Sequence, residues 1–220
     1  MKVTTRRSLH EELEALKKTV ENMAKIVLDV VKASVRSLIN QDTELALKII
    51  EEGQEVDLLE FTIENKCMEL LALYQPVAKD LRAIVTIAKI IADLDRLADY
   101  SEDICHVTLH THHLQKVREL DKIATMHGKV DTIVRLALKA FLEGDAKLAE
   151  TLGGLDDEVD KLFVKVIETG IETMKNDQSS IRFTANLILV SKYLERMADH
   201  ACNIAGRTIY MVTGKRKKIH

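Results

Sequence analysis

No tryptophan and a single proline, Pro76, occur in the 220-residue chain, glycine is held to eight, and aromatics make up only 4% of it. Glycine and proline are the residues that punctuate tight turns. Their scarcity, with no Asn-Gly hairpin signals and no alternating Val/Thr runs, excludes a fold of many short strands. No stretch approaches the roughly 20 apolar residues that a membrane-spanning helix needs. The start, Met1-Lys2-Val3-Thr4-Thr5-Arg6-Arg7, is soon followed by more charge, with no signal-peptide pattern. The expected location is therefore cytoplasmic. Cys67, Cys105 and Cys202 form an odd set with no CxxC spacing. That argues against a disulfide framework and predicts reduced, buried thiols. A net charge of -3 gives no basic excess for nucleic acid. The one basic run, Lys215-Arg216-Lys217-Lys218 in the tail 214–220, reads as a solvated terminus, at most weakly drawn to an anionic membrane or partner. No GxxxxGK[ST] loop is present for nucleotide hydrolysis.

What remains is 46% apolar residues in long helical patterns, and a text written twice. Asp95-Arg96-Leu97-Ala98-Asp99, with Ile104 five residues on, returns 100 residues later as Glu195-Arg196-Met197-Ala198-Asp199 with Ile204. Glu55-Val56-Asp57-Leu58-Leu59 returns as Glu158-Val159-Asp160-Lys161-Leu162, and Asp42-Thr43-Glu44-Leu45-Ala46 as Asp145-Ala146-Lys147-Leu148-Ala149, both at an offset of 103. Met23, Val27 and Val31 match Met126, Val130 and Val134 at the same offset. Internal symmetry on this scale decides architecture before any local signal does.

The start and stop signals predict six helices. The first runs from Ser8, with Glu11 and Glu12 behind it, to Ile39, where Asn40-Gln41-Asp42 breaks the pattern. Asp42 caps a second helix reaching Tyr74; Gln75-Pro76 closes it, with Pro76 in the first turn of a third that runs from Val77 to His110. His110-Thr111-His112-His113 links the halves. The fourth helix spans Leu114 to Glu143 and stops at Gly144. Asp145 caps the fifth, which reaches Met174 with a kink at Gly153-Gly154, and the sixth spans Ser180 to Val212 before Gly214. Long helices with short connections make neighbours antiparallel. The fold class is all-α: two pseudo-symmetric three-helix bundles, residues 8–110 and 114–213, packed side by side or end to end.

Carboxylates four residues apart stand one above the other on a helix, which costs a few tenths of a kcal/mol when they are unpaired. At about 100° per residue, Leu81, Ile84, Val85, Ala88, Ile91 and Ala92 share an arc of the third helix, and Asp95, Asp99, Glu102, Asp103 and His106 continue it. In the sixth helix Ile181, Ala185 and Ile188 precede Glu195, Asp199 and Asn203, although Ser191 and Lys192 share that arc. Counting back from the hairpin turns puts Asp57 level with Asp95, and Asp160 level with Glu195. The candidate metal ligands are thus Asp57, Asp95, Asp99 and Asp103 in one half and Asp160, Glu195, Asp199 and Asn203 in the other. Clustered oxygens suit hard cations such as Mg, Ca or Mn, and also iron. Ion pairing with Arg96, Arg196 or lysines across the helices, and a plain solvated acidic face, stay open beside that reading.

The duplicated motif within a six-helix repeat resembles the PhoU family of phosphate-transport regulatory proteins, whose hallmark is an acidic residue, three residues, then Asp, once per half. Tyr74-Gln75-Pro76-Val77-Ala78-Lys79-Asp80-Leu81-Arg82 and Asp199-His200-Ala201-Cys202-Asn203-Ile204-Ala205 carry the same likeness, which spans residues 8–213. The resemblance implies multinuclear metal clusters at both motifs, the metal being Fe, Zn, Mn, Mg or Ca. It also implies a non-catalytic cytoplasmic adaptor, peripheral to the membrane at most. Its partners would be the ATP-binding subunit of the phosphate ABC transporter and a phosphate-sensing histidine kinase, and it would hold the phosphate-starvation response off. The first motif departs from the usual pattern by opening with Asp95 in place of Glu. Leftover apolar surface would allow a homodimer.

Two rival classes have weaker footing. A di-metal carboxylate enzyme needs paired Glu-x-x-His motifs; Asp103-Ile104-Cys105-His106 approaches one, but its counterpart Asn203…Gly206 has no histidine. A histidine phosphotransfer bundle would use His10 or His127.

Overall fold

The computed structural model describes residues 2–219, with side chains from Ser8 onward. The chain forms α1 (Lys2–Asn40), α2 (Thr43–Tyr74), α3 (Ala78–Thr111), α4 (Glu119–Glu143), α5 (Ala146–Glu150), α6 (Gly153–Asn176) and α7 (Ile181–Thr213), with one 3-10 turn at Gln178–Ser180 and no strand among the described residues. The fifth predicted helix is broken at Thr151-Leu152 into α5 and α6, and the six-helix plan otherwise holds. The caps act as their chemistry requires: Asp42 accepts from the Leu45 amide, Asp145 from those of Lys147 and Leu148, and Gly144 and Gly214 end their helices at φ 66° and 73°.

Three boundaries move, each for a physical reason. The first helix is already formed at Lys2, so Ser8 is an interior residue; its hydroxyl lies 2.9 Å from that of Tyr74 and ties the end of α2 to α1. Pro76 precedes α3 and stands outside its first turn, since Val77 is the N-cap. Gln75 takes the left-handed φ of 45° that helix ends use, the residue before a proline being kept out of the right-handed helical region. The fourth helix begins at Glu119, five residues past Leu114, because the intervening segment is bound to the end of α1: Gln41 Nε2 donates to the Leu114 carbonyl at 2.8 Å and Lys116 Nζ to that of Ile39 at 2.7 Å.

Helices α1, α3, α4 and α7 form the centre, flanked by α2 against α1 and α3 and by α6 against α4 and α7. The halves lie side by side, joined through α3 on α7 and α1 on α4, and one buried cluster of mostly Val, Ile, Leu and Ala runs through both. The three cysteines are free and buried in it. The buried face of α3 is rotated from the expected arc. Ile84, Ile87, Ile91, Leu94, Ala98 and Cys105 are buried, whereas Leu81, Val85 and Ala92 are exposed. A helix gripped by α1, α2 and α7 buries a wider sector than a single stripe, and the acidic positions fall at its edge.

The repeat is also visible across the α3–α7 seam. With the offset of 100, position 93 pairs with position 200 and position 193 with position 100. Asp93, almost fully buried, accepts from His200 Nδ1 at 3.0 Å and from Arg207 Nε at 2.6 Å. Tyr193 stacks on Tyr100 with ring centroids 5.8 Å apart. The same seam contact is made twice, once ionic and once aromatic. Removing the carboxylate strands two partly buried donors, so Asp93→Ala should destabilise by about 2–3 kcal/mol, read as a lower urea midpoint at unchanged slope.

Candidate metal centre

Asp57 and Glu60, three residues apart, line the side of α2 that faces α3. On α3, Asp95, Asp99, Glu102 and Asp103 follow helical spacing along the edge of the buried face. Gly53 allows the close approach: a Cβ there would lie 1.6 Å from Glu102 Oε1. One carboxylate oxygen each of Asp57, Asp95 and Asp99 lie within 4.8 Å of one another, the single such convergent group among the described residues. Asp57 is exposed and the other two are half-buried.

Charge accumulates here without an equal answer. Arg96 Nη1 donates to Asp99 Oδ2 at 2.7 Å from an exposed position. Burial, then the neighbouring charges of Glu60, Asp99 and Asp57, push the Asp95 carboxyl up to about 7, with Arg96 opposing. Burial and like charge also raise Glu60, Glu102 and Asp103, the last partly relieved by His106. Several carboxyls are thus driven toward their protonated forms in one small volume, where burial and like charge both disfavour the ionised state.

The second motif is different. Asp160 is exposed on α6, and Glu195 and Asp199 are half-buried on α7. Lys192 Nζ stands 2.7 Å from both oxygens of Glu195, steadied 5.1 Å above the Phe163 ring, and Arg196 Nη1 reaches Asp199 at 3.3 Å. Asp160, Glu195 and Asp199 therefore do not converge as the first set does, and Asn203 does not join them. The repeat itself supplies the reason. Ala92 corresponds to Lys192, Glu60 to Phe163 and Asp103 to Asn203, so the second half gains a cation and loses two carboxylates. Gly53 and Glu102 correspond to Asp156 and Cys202, which exchanges the helix that carries that carboxylate; buried Asp156 bonds the Cys202 thiol, which burial pushes up to about 12. Asn203 instead lines a cleft between α3, α7 and the C-terminal segment. In the first half Asp103 stands outside the convergent triad. Glu60 was not anticipated, although its spacing from Asp57 on one helix face could have revealed it.

The family model described as "PhoU domain" matches the chain twice, at residues 20–108 and 123–208. The chain belongs to the PhoU family. A Clostridium acetobutylicum protein called a phosphate-specific transport system accessory protein PhoU homolog is 32% identical over 96% of this chain and 97% of its own length. A Thermotoga maritima PhoU homolog 1 is 34% identical over 94% of this chain and 90% of its own. Among solved structures, PhoU from Pseudomonas aeruginosa superposes with a TM-score of 0.91 at 30% identity, covering 94% of this chain and 99% of that one. The phosphate transport system regulatory protein PhoU from Streptococcus pneumoniae superposes at 0.88 and 26% identity, covering 95% and 99%. Each matched PhoU segment carries one acidic motif, so the charge asymmetry lies within one shared architecture.

The oxygen donors of Asp57, Asp95 and Asp99 fit a hard cation, which takes carboxylates readily and in flexible geometry. The set around Glu195 is already neutralised by Lys192. In metal-free protein the folded chain keeps a proton on Asp95 that the unfolded chain, near the ordinary 3.8, releases. The unfolded state then binds fewer protons, and stability falls as pH rises from about 4 to about 7. Asp95→Asn should accordingly raise chelator-treated stability by about 1–2 kcal/mol at pH 8, a figure already discounted for solvent screening, and leave it unchanged at pH 4. Paired thermal melts at the two pH values check this.

Proposed function

We propose that the chain is a non-catalytic accessory protein of a phosphate transport system that binds metal at its first acidic motif and regulates uptake through protein contacts. The convergence of the Asp57, Asp95 and Asp99 carboxylates carries the metal part of this reading. Those three side chains would hold the cation, with Glu60 and Glu102 beside them, and a bound cation would supply the positive charge the site lacks. The relatives' names support the transport role. The family resemblance points to the ATP-binding subunit of a phosphate ABC transporter and to a phosphate-sensing histidine kinase as partners, and to repression of the phosphate-starvation response. No helix among the described residues is long and apolar enough to cross a membrane, which agrees with a cytoplasmic, peripheral placement.

A docking face is available next to the site. Leu58, Phe61, Met68 and Leu73 on α2, and Val77 after it, are all more than half exposed. Outward apolar residues of this size mark contact surfaces. The phosphotransfer alternative loses ground because His127 is partly buried, its Nε2–H donating to the Val31 carbonyl at 3.1 Å, and burial lowers its pKa. The enzyme alternative lacks its second histidine, because Gly206 occupies the position equivalent to His106.

Elemental analysis after dialysis against manganese and iron should find bound metal in the parent chain and a loss of at least half of it in Asp95→Asn/Asp99→Asn. A chelator should lower the melting temperature of the parent and not that of the variant; equal metal content in both would refute the site. Separately, Leu58→Asp/Phe61→Asp should abolish co-elution of the metal-loaded chain with the transporter ATPase while leaving its metal content intact.

A further inference from the structure

A cleft with basic lining lies between α3, α7 and the C-terminal segment. The segment is not the free basic terminus that the sequence suggests. Ile219 is buried, Arg216 lies 5.9 Å from the Tyr210 ring centroid, and Lys217 pairs with Glu150 at 3.0 Å; His220 lies outside the described residues. Gly206 makes the fold-back possible, because a Cβ there would stand 2.9 Å from the Lys217 carbonyl oxygen. The cleft so closed has a volume of about 410 Å³.

Its lining includes Lys89, Arg207, Arg216, Lys217 and Lys218 and no aspartate or glutamate. Asp93 answers Arg207 and Glu150 answers Lys217. Lys89, Arg216 and Lys218 have no carboxylate partner among the described residues. Thr86 also lines the cleft, is 2% exposed, and its Oγ1 has no hydrogen-bond partner. Helical threonines in this chain, such as Thr108, Thr111 and Thr208, donate to the carbonyl four residues back. Thr86 does not, and a buried hydroxyl left unpaired costs about 1–3 kcal/mol. An unused hydroxyl donor beside three unanswered cations has the chemistry of an oxyanion site.

We propose that this cleft binds a small polyphosphorylated anion, with Thr86, Lys89, Arg216 and Lys218 as its contacts. Three uncompensated positive charges and a cleft of this volume exceed what one orthophosphate would neutralise or fill. The site is distinct from the acidic one and does not depend on metal there.

Isothermal titration of the full chain with inorganic triphosphate, in chelator at physiological salt, should show one site per chain. Lys89→Ala/Lys218→Ala should weaken it about tenfold or more. Thr86→Val, which preserves shape and removes the unpaired hydroxyl, should weaken it severalfold at a melting temperature no lower than the parent's, an effect that diffuse basic attraction would not produce. Asp95→Asn/Asp99→Asn should bind like the parent. Equal affinity for ATP would assign the site to the phosphate tail of a nucleotide, and exclusion of ATP to an inorganic chain; both support the proposal. Triphosphate binding no tighter than orthophosphate, or unaffected by Thr86→Val, would overturn it. So would binding of phosphatidylglycerol vesicles without triphosphate binding, which would make the tail a membrane contact.

Discussion

Unanswered negative charge at the edge of the α2–α3 contact is the constraint around which the first half is arranged. Asp57, Asp95 and Asp99 converge, Glu60 and Glu102 crowd them, and Arg96 answers only Asp99 from the solvent side. Carboxylates in such a group repel each other and lose solvation together, so the folded state has three ways to relieve them: take up protons, part the helices, or take up a cation. Gly53 works against the second, because it lets Glu102 sit against α2. Near neutral pH, protonation of Asp95, whose carboxyl is pushed up to about 7, relieves part of the repulsion.

The second half shows the same backbone solving the same problem internally. Lys192 stands where Ala92 does and donates to both carboxylate oxygens of Glu195, and Phe163 replaces Glu60 and supports the ammonium. One copy of the duplicated hairpin is thus closed electrostatically and the other left open. The seam between them keeps its pseudo-symmetry, with Asp93 against His200 and Tyr193 against Tyr100, although its chemistry has diverged in the same way.

The helices, the repeat and the acidic motifs were legible because each rests on local periodicity or on literal recurrence. The caps at Asp42 and Asp145 and the stops at Gly144 and Gly214 follow from backbone chemistry that needs no tertiary knowledge. The starts of α1 and α4 were not legible, since Ser8 is claimed by Tyr74 and residues 114–118 by the end of α1. The rotation of the buried face of α3 depends on how many helices surround it, which a single helical wheel does not contain. The two motifs diverge through positions outside their five aligned residues: Lys192 one turn before the second, already visible on its acidic arc, and Phe163 on another helix, which only the structure brings beside it. The folded-back tail was invisible because a basic run reads alike whether it is solvated or packed.

The most direct test moves the charge. Manganese titration of Ala92→Lys, set beside the parent chain, places in the first half the ammonium that closes the second. The account predicts that the parent binds manganese at this motif and that Ala92→Lys does not, while melting higher than the parent when both are metal-free. Undiminished binding by Ala92→Lys, or no binding by the parent, would contradict it.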